Sequence, residues 1–212
     1  MRRGLPEHRG IPLLALHNVC SWEKPAGHRY RYWLEARLSS GSNGICLFLM
    51  LNPNRADWDR SDETIDRCKD LAQEWDYRTL WVCNLFPVRG GNWDTLPQDR
   101  MGPCQPGGGF AGCVLCRTGS QSDLHVNDRH LMEAAGHADR IVCAWGGKGG
   151  FEGRGREVVR MLVGAGCENR LYTFGLTKIE RQPRHAKPQL RGQWPRASDL
   201  KRWTEVRAWL DP

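Results

Sequence analysis

The sequence lacks a long hydrophobic run: its longest continuous apolar stretch is seven residues, at positions 45–51. A transmembrane helix needs about 20 apolar residues, so we expect no membrane span. The chain starts with basic residues, but Pro12 interrupts the short apolar run that follows, which argues against a secretory leader. The nine cysteines are scattered through apolar segments and do not form a disulfide framework. We therefore expect one cytoplasmic domain over residues 1–212, with no membrane contact and no obligate protein partner.

Lysine is also scarce, and arginine supplies the positive charge. Of the 31 basic residues only six are Lys, and the net charge is +7. Arginine binds phosphate oxygens in a bidentate manner and stacks on bases, so this composition favours a nucleic-acid partner. A genome rich in G and C also raises arginine content, and this is the alternative explanation. The ten tryptophans suit either a core or the face of a stacked base.

Apolar strands alternate with amphipathic helices along the chain. The predicted strands cover residues 30–38, 45–51, 80–86, 140–145 and 170–174, and the predicted helices cover residues 61–75, 128–138 and 155–164. Ser61 is the predicted N-cap of the first helix. The alternation predicts an α/β fold, a three-layer, open, mostly parallel sheet with helices on both faces. A Gly-rich segment that carries cysteines, at about 98–126, breaks the alternation and is predicted to be an insertion.

Polar loops follow the apolar runs, at the strand ends where ligands bind in such sheets. These loops are residues 52–57, 84–87, 145–150 and 183–190. We expect them to form one site at one edge of the sheet.

Several segments, taken in order, resemble a bacterial and phage family of unknown function whose hallmark reads Asn-Pro-Ser-Thr-Ala-Asp. They are LNPNRAD at 51–57, DETIDRC at 62–68, NLF at 84–86, AWG at 144–146 and GLTK at 175–178. The resemblance covers about residues 30–195, and the chain departs from it at Asn54, at Arg55 and in the insertion. That family is similar in turn, through shorter motifs, to the uracil-DNA glycosylase superfamily. The resemblance implies a glycosylase-like fold and DNA as the partner.

The same resemblance implies a catalytic role for three residues. Asn52 would occupy the position that activates water, and Asp57 is a nearby carboxylate that can accept a proton. Gln182 stands where the superfamily has a histidine, so His185 is the expected donor to the departing base. An Asn before Pro also simply forms a turn, and this reading stays open for Asn52.

Asn84 is expected to pair with the Watson–Crick edge of a flipped base, with Phe86 and Trp58 as stacking partners. A satisfied structural amide explains Asn84 equally well, and packing in the core or rim is the more common role for Phe86 and Trp58. The expected phosphate contacts are four basic residues, for which a solvated basic surface is the alternative: Lys148, Arg184, Lys187 and Arg191.

The insertion carries three cysteines and a nearby histidine with the spacing of a structural zinc site: Cys104, Cys113, Cys116 and His125. Free thiols on a loop are the alternative. Catalysis itself is expected to need no cofactor. The glycine-rich residues 146–150 lack the Gly-Lys-Ser/Thr ending of a phosphate-binding loop, which excludes a nucleoside triphosphatase.

The resemblance and these residues together imply a monofunctional DNA glycosylase that acts in antiphage defence or base excision. The association of such families with phage defence and DNA modification implies a modified pyrimidine as the substrate, for example glucosylated hydroxymethylcytosine. Plain uracil is less expected because the motifs are altered at Asn54, Arg55 and Gln182. One alternative is a catalytically silent module that binds modified DNA or nucleotides. Another is a zinc-dependent nuclease, which is disfavoured because three thiolates form a closed structural site more readily than a catalytic one.

Overall fold

The computed structural model of the chain describes residues 17–18, 31–54, 56, 61–87, 89–90, 126–187 and 194–211. The described residues form a seven-stranded sheet whose strands are β1 (His17–Asn18), β2 (Trp33–Arg37), β3 (Asn43–Met50), β4 (Tyr77–Asn84), β5 (Arg140–Cys143), β6 (Leu171–Thr173) and β7 (Lys201–Arg202). Their order in the sheet is β1-β2-β4-β3-β5-β6-β7. The apolar strands therefore assemble around β3, which is the middle strand of the sheet and contains most of the seven-residue apolar run.

The sheet is parallel in its middle and antiparallel at its edges. The ladders β4–β3, β3–β5 and β5–β6 are parallel, whereas β1–β2, β2–β4 and β6–β7 are antiparallel. The mixed α/β class is confirmed, but half of the described ladders are antiparallel. The link between β2 and β3 spans only residues 38–42, and a parallel crossover needs about a dozen residues or more, so this link reverses the chain direction.

Helices cover both faces of the sheet, as predicted. They are α1 (Glu63–Glu74), α2 (Val126–His137), α3 (Arg154–Gly164) and α4 (Val206–Leu210). Leu47 and Leu49 of β3 pack with α2, α3 and α4, while Cys46 and Phe48 pack with α1 on the other face. Because both faces are buried, the strand reads as a continuous apolar run.

The predicted N-cap of α1 is wrong by one residue. Asp62 caps the helix, and its Oδ1 accepts hydrogen bonds from the backbone N–H groups of Thr64 and Ile65, each at 3.0 Å. The Ser61 hydroxyl donates instead to the Asp66 carboxylate at 2.5 Å. A carboxylate at this position also interacts favourably with the positive end of the helix dipole.

The described thiols are small buried groups, in agreement with the sequence interpretation. They are Cys46, Cys68, Cys83, Cys143 and Cys167, and all are free. Burial raises the pKa of the Cys46, Cys83 and Cys143 thiols, so they stay protonated and unreactive. None of the described helices is both long and apolar enough to cross a membrane.

The chain order opens a cleft at the carboxyl edge of the sheet. From β3 the chain passes through α1 to β4 on one side, and from β4 it passes through α2 to β5 on the other side of β3. The loops after β3 and β5 therefore turn toward opposite faces. Such a reversal point is where open α/β sheets bind their ligands.

Candidate functional site

A cavity of about 770 Å³ lies at this carboxyl edge, beside the ends of β5 and β6. Two further segments enclose it: the loop at 184–187 and the segment at 195–201. The lining residues are Gly146, Gly147, Phe174, Gly175, Thr177, Arg184, His185, Lys187, Pro195, Ser198, Asp199 and Lys201. Three of the predicted site residues, Arg184, His185 and Lys187, are therefore brought together at one cavity.

His185 is held in a neutral form, and its Nδ1 is bound by the Lys187 backbone. Its Nδ1 lies 2.9 Å from the Lys187 backbone nitrogen and 3.1 Å from the Lys187 carbonyl oxygen, so Lys187 can bind either tautomer: it donates to a bare Nδ1 or accepts from Nδ1–H. Burial lowers the pKa of His185 below its ordinary value of 6.5, and the opposing effects of the Lys187 hydrogen bond and the Asp62 carboxylate do not reverse that direction. At neutral pH the side chain is thus an uncharged hydrogen-bond donor at the cavity wall.

The two basic residues that flank His185 differ in what they contact. The Arg184 side chain is exposed, and its Nε donates to the Leu176 carbonyl oxygen at 3.3 Å. Lys187 forms an ion pair with Glu63 at the start of α1, and its ammonium lies 5.9 Å from the centre of the Trp194 ring. The positive charge of Lys187 is therefore partly neutralised from α1.

Asn52 ties together the loops that follow β3 and β4. Its Nδ2 donates to the carbonyl oxygens of Gly90 at 2.9 Å and of Pro53 at 3.2 Å. The Gly90 N–H donates in return to the Pro53 carbonyl oxygen at 2.9 Å. Two carbonyl acceptors fix the orientation of the amide, so Oδ1 faces away from them as an acceptor.

Two guanidinium groups strengthen the same connection. Arg31, which is only 2% exposed, donates to the Ala56 carbonyl oxygen at 2.6 Å, and Arg89 donates to the same oxygen at 2.8 Å. The Ala56 N–H donates to Oδ2 of Asp62 at 3.2 Å. We call this set of contacts around residues 52–56 and 89–90 the loop clasp. It holds the Asn52 loop against the start of α1, where the Lys187 ion pair also lies.

Asn84 is the last residue of β4, and its side chain is 1% exposed. Neither Nδ2 nor Oδ1 of this amide has a hydrogen-bond partner among the residues that the structure describes. Strand alternation puts Asn84 on the α1 face with Leu80 and Val82. The same cluster of buried side chains contains Ala186 of the 184–187 loop. The unpaired amide therefore faces the side of the sheet on which His185 lies.

The backbone of this strand end is fixed from the opposite face. Asn127 of α2 donates to the carbonyl oxygens of Asn84 and Leu85 at 2.9 and 3.1 Å. Arg154, buried beside its ion-pair partner Asp128, donates from Nε to the Leu85 carbonyl oxygen at 3.1 Å. These bonds fix the backbone of the strand end. The Asn84 side-chain amide, by contrast, has no hydrogen-bond partner among the described residues.

The lining of the cavity does not include five residues that the sequence analysis singled out: Asn52, Asn84, Phe86, Lys148 and Gln182. Phe86 is fully buried and meets Phe151 edge to face, with 6.2 Å between the ring centres. Lys148 is exposed on the 3-10 turn that follows β5. Gln182 is buried, and its Oε1 accepts from the indole N–H of Trp145 at 3.0 Å, so it holds the β5 loop from behind.

The remaining predicted residues lie outside the described part of the chain. They are Asp57, Trp58, Arg191, Cys104, Cys113, Cys116 and His125. Within the described ranges, no group of three or more His, Cys, Asp or Glu side chains is arranged to hold a metal ion. The zinc site of the insertion therefore stays a prediction.

The cavity includes residues that sequence reasoning missed. Phe174 and Thr177 follow β6 directly, so the same strand-end argument that selected the other loops could have found them. Ser198, Asp199 and Lys201 come from a short polar segment before α4 that has no periodicity and no motif. Only the folded arrangement brings that segment to the site.

The comparisons with known proteins show the family of the chain. The family model described as "Protein of unknown function (DUF1643)" matches residues 31–186, which is more than half of the chain. The chain belongs to this family. The matched region runs from Arg31 of the loop clasp to Ala186 beside His185, so it contains Asn52 and Asn84. No curated protein and no solved structure matches the chain.

Proposed function

We propose that the protein is a DNA glycosylase that flips a modified pyrimidine out of DNA and hydrolyses its N-glycosidic bond to leave an abasic site. The modified base is one such as glucosylated hydroxymethylcytosine, and the role is in antiphage defence or base excision. The observation that carries the proposal is the buried side-chain amide of Asn84 at the carboxyl end of β4, which has no hydrogen-bond partner among the described residues. The motif resemblance to uracil-DNA glycosylases supports the same activity.

An unpaired buried amide costs about 1–3 kcal/mol, so its presence needs an explanation. A carboxamide offers one donor side and one acceptor side, which match the adjacent donor and acceptor on the Watson–Crick edge of a pyrimidine. Asn84 has both atoms available on a strand end that Asn127 and Arg154 hold in place. Base binding would satisfy both of them.

Bond cleavage needs a water molecule at C1′ and stabilisation of the departing base. The bond between C1′ and the base nitrogen breaks with its electron pair leaving on the base, and water adds its oxygen to C1′. Asn52, whose orientation is fixed by Gly90 and Pro53, would accept a hydrogen bond from that water through Oδ1. Asp57, in the same loop by sequence, would take the proton.

His185 would stabilise the negative charge that develops on the base. Its Nε2–H would be the donor in the tautomer whose Nδ1 accepts from the Lys187 N–H. A neutral imidazole keeps this proton while donating, and the lowered pKa of His185 favours the neutral form.

The surroundings of the cavity suit a nucleic acid. Arg184, Lys187 and Lys201 line it, and phosphate contacts from Arg184 and Lys187 would position the duplex. Lys148 and Arg191 are the further phosphate contacts proposed from the sequence. Phe174 lines the cavity and stacks on Trp75, whereas Phe86 is fully covered, so Phe174 is the stacking surface that a base would meet.

The experiment measures base release from duplexes that contain cytosine, uracil, hydroxymethylcytosine or glucosylated hydroxymethylcytosine at one position. The protein is prepared from a host that lacks its own uracil-DNA glycosylase. Free base is identified by mass spectrometry, and abasic sites are identified by strand cleavage in alkali. We expect release of a modified base and no release of cytosine.

Failure to release any base from these DNAs contradicts the enzymatic proposal. Binding to modified DNA that weakens with salt, without abasic product, would instead establish the catalytically silent module.

A further inference from the structure

The segment at residues 194–201, which we call the strap, forms one wall of the cavity. It contributes Pro195, Ser198, Asp199 and Lys201. Drug-sized ligands occupy pockets of roughly 300–1,000 Å³, so a cavity of about 770 Å³ exceeds the needs of one pyrimidine ring. The additional space lies where the strap faces the ends of β5 and β6.

The strap is held in place at both of its ends. Arg67 of α1 donates to the Pro195 carbonyl oxygen at 2.6 Å, and the indole N–H of Trp75 donates to the Ala197 carbonyl oxygen at 3.3 Å. At the other end Lys201 pairs with Thr173 in the β6–β7 ladder. A wall fixed in this way is preorganised for a ligand, which reduces the entropy lost on binding.

The strap brings a carboxylate into a basic cavity. Among the described lining residues, Asp199 is the only acidic one, and it faces a cavity that also holds Arg184, Lys187 and Lys201. Its Oδ2 accepts from the Arg196 N–H at 2.8 Å. A carboxylate has about four acceptor positions, so Asp199 can accept further hydrogen bonds.

This wall suits hydroxyl groups better than phosphate. A carboxylate repels a phosphate and accepts hydrogen bonds from hydroxyls. Ser198 and Thr177 add hydroxyls that both donate and accept, and Lys201 adds a donor. Such a mixture matches a group that itself carries several donors and acceptors.

We infer that the space under the strap is a subsite for a hydroxyl-rich substituent carried by the flipped base, with Asp199 and Ser198 as the residues that select it. The inference rests on the proposed function, and it assigns substrate choice to a segment outside the motifs. Asn84 pairs with the base edge whether or not the base is substituted, so discrimination between bases falls to the strap.

The test compares binding of two duplexes that differ only in glucosylation of one hydroxymethylcytosine. A 2′-fluorine on the target nucleotide suppresses cleavage, because it destabilises the oxocarbenium-like transition state. Fluorescence anisotropy gives Kd for the wild-type chain and for D199N, which keeps an oxygen to cap Arg196. D211N, an exposed Asp→Asn change on α4 away from the cavity, is the matched control.

We expect the wild-type chain to bind the glucosylated duplex about tenfold tighter, as one hydrogen bond to a charged group allows. D199N should lose most of this preference and bind the hydroxymethylated duplex within about twofold of wild type, while D211N keeps the preference. S198A, with the strap backbone intact, should lose part of it. Equal wild-type affinity for the two duplexes, or equal losses on both duplexes in D199N, overturns the subsite. If D199N does not fold, the subsite is tested by the preference of the wild-type chain for the glucosylated duplex and by the partial loss of that preference in S198A.

The proposed function fails separately, when no base is released from the unfluorinated duplexes. The binding preference is then still measurable, so the two failures are distinguishable.

Discussion

The side-chain amide of Asn127 donates to the backbone carbonyl oxygen of Asn84 at 2.9 Å. The contact fixes the last residue of β4 from the α2 face, while the Asn84 amide on the α1 face has no partner among the described residues. Two buried asparagines thus lie on opposite faces of the same strand end: the amide nitrogen of Asn127 is bonded to the backbone, and both amide atoms of Asn84 lack a partner among the described residues. We expect substitution by Leu to change the stability of the fold in opposite directions at the two positions.

Asn84→Leu should leave the free energy of unfolding unchanged or raise it by about 1 kcal/mol, because it removes an unsatisfied buried amide. Excision should fall about 100-fold or more, because the contacts to the base edge are lost. Urea unfolding and single-turnover base release measure the two quantities. Asn127→Leu is the matched control, and it should lose about 1–3 kcal/mol of stability because two backbone carbonyls lose their donor. Equal destabilisation by the two changes would assign Asn84 to structure alone.

Asn52→Ala should abolish turnover while DNA affinity stays near that of wild type. The expected loss of stability is about 1 kcal/mol, since the bonds to Gly90 and Pro53 disappear but the Gly90–Pro53 backbone bond and the Ala56 contacts remain. Single-turnover rates and thermal unfolding measure the two effects. Asn43→Ala, at the other end of β3, removes a similar bond to the Trp75 carbonyl oxygen and should not affect turnover. Full activity in Asn52→Ala would reduce Asn52 to a turn residue.

The stability of the fold should decrease as the pH falls below about 6.5. Burial holds the pKa of His185 below its ordinary value in the folded state, so the unfolded chain takes up a proton first. The contribution is fully present above pH 6.5 and is lost as the pH falls toward the lower folded-state pKa. His185→Gln should flatten the dependence of the free energy of unfolding on pH, which urea titrations at several pH values measure.

His130 contributes a second part of the same pH dependence, because burial also lowers its pKa. His130→Gln should therefore flatten the curve as well, but without affecting base release. An unchanged curve in His185→Gln would show that its imidazole stays solvated.

Glu63→Gln should strengthen DNA binding a few-fold, because Lys187 then has its full charge available for phosphate. The slope of log affinity against log salt should steepen by up to about one counterion. Arg184→Ala should do the opposite and flatten the slope by about one. Anisotropy titrations at several salt concentrations measure both. Glu168→Gln, which frees Arg207, is the control and should leave the slope unchanged, because neither residue lines the cavity.

The central strands could be predicted from the sequence because strands buried on both faces are apolar throughout. Residues 45–51 correspond to β3 at Asn43–Met50, with ends that differ by one or two residues. Strand ends are harder to predict: residues 80–86 became β4 at Tyr77–Asn84, because apolar residues continue into the core beyond the last ladder bond. The antiparallel strands at the edges of the sheet could not be predicted, because local hydrophobic periodicity does not show which strands pair with each other.

Three of the predicted site residues line the cavity, and they could be selected from the sequence for a related reason. His185, Arg184 and Lys187 were found because they lie on a polar loop near a strand end, and they do line the cavity. Phe86 follows a strand in the same way, yet its ring turns into the core. Polarity predicts which side chains stay at the edge, whereas an aromatic ring fits either environment.

The loop clasp also bears on how this chain can vary. Asn52 and Gly90 lie 38 residues apart, yet hydrogen bonds of Asn52, Gly90 and Arg89 join their loops. A change on one side alters the geometry that the other side must match, so substitutions in the two loops should be epistatic. Redesign of the specificity of this family will therefore have to vary the two loops in the same library.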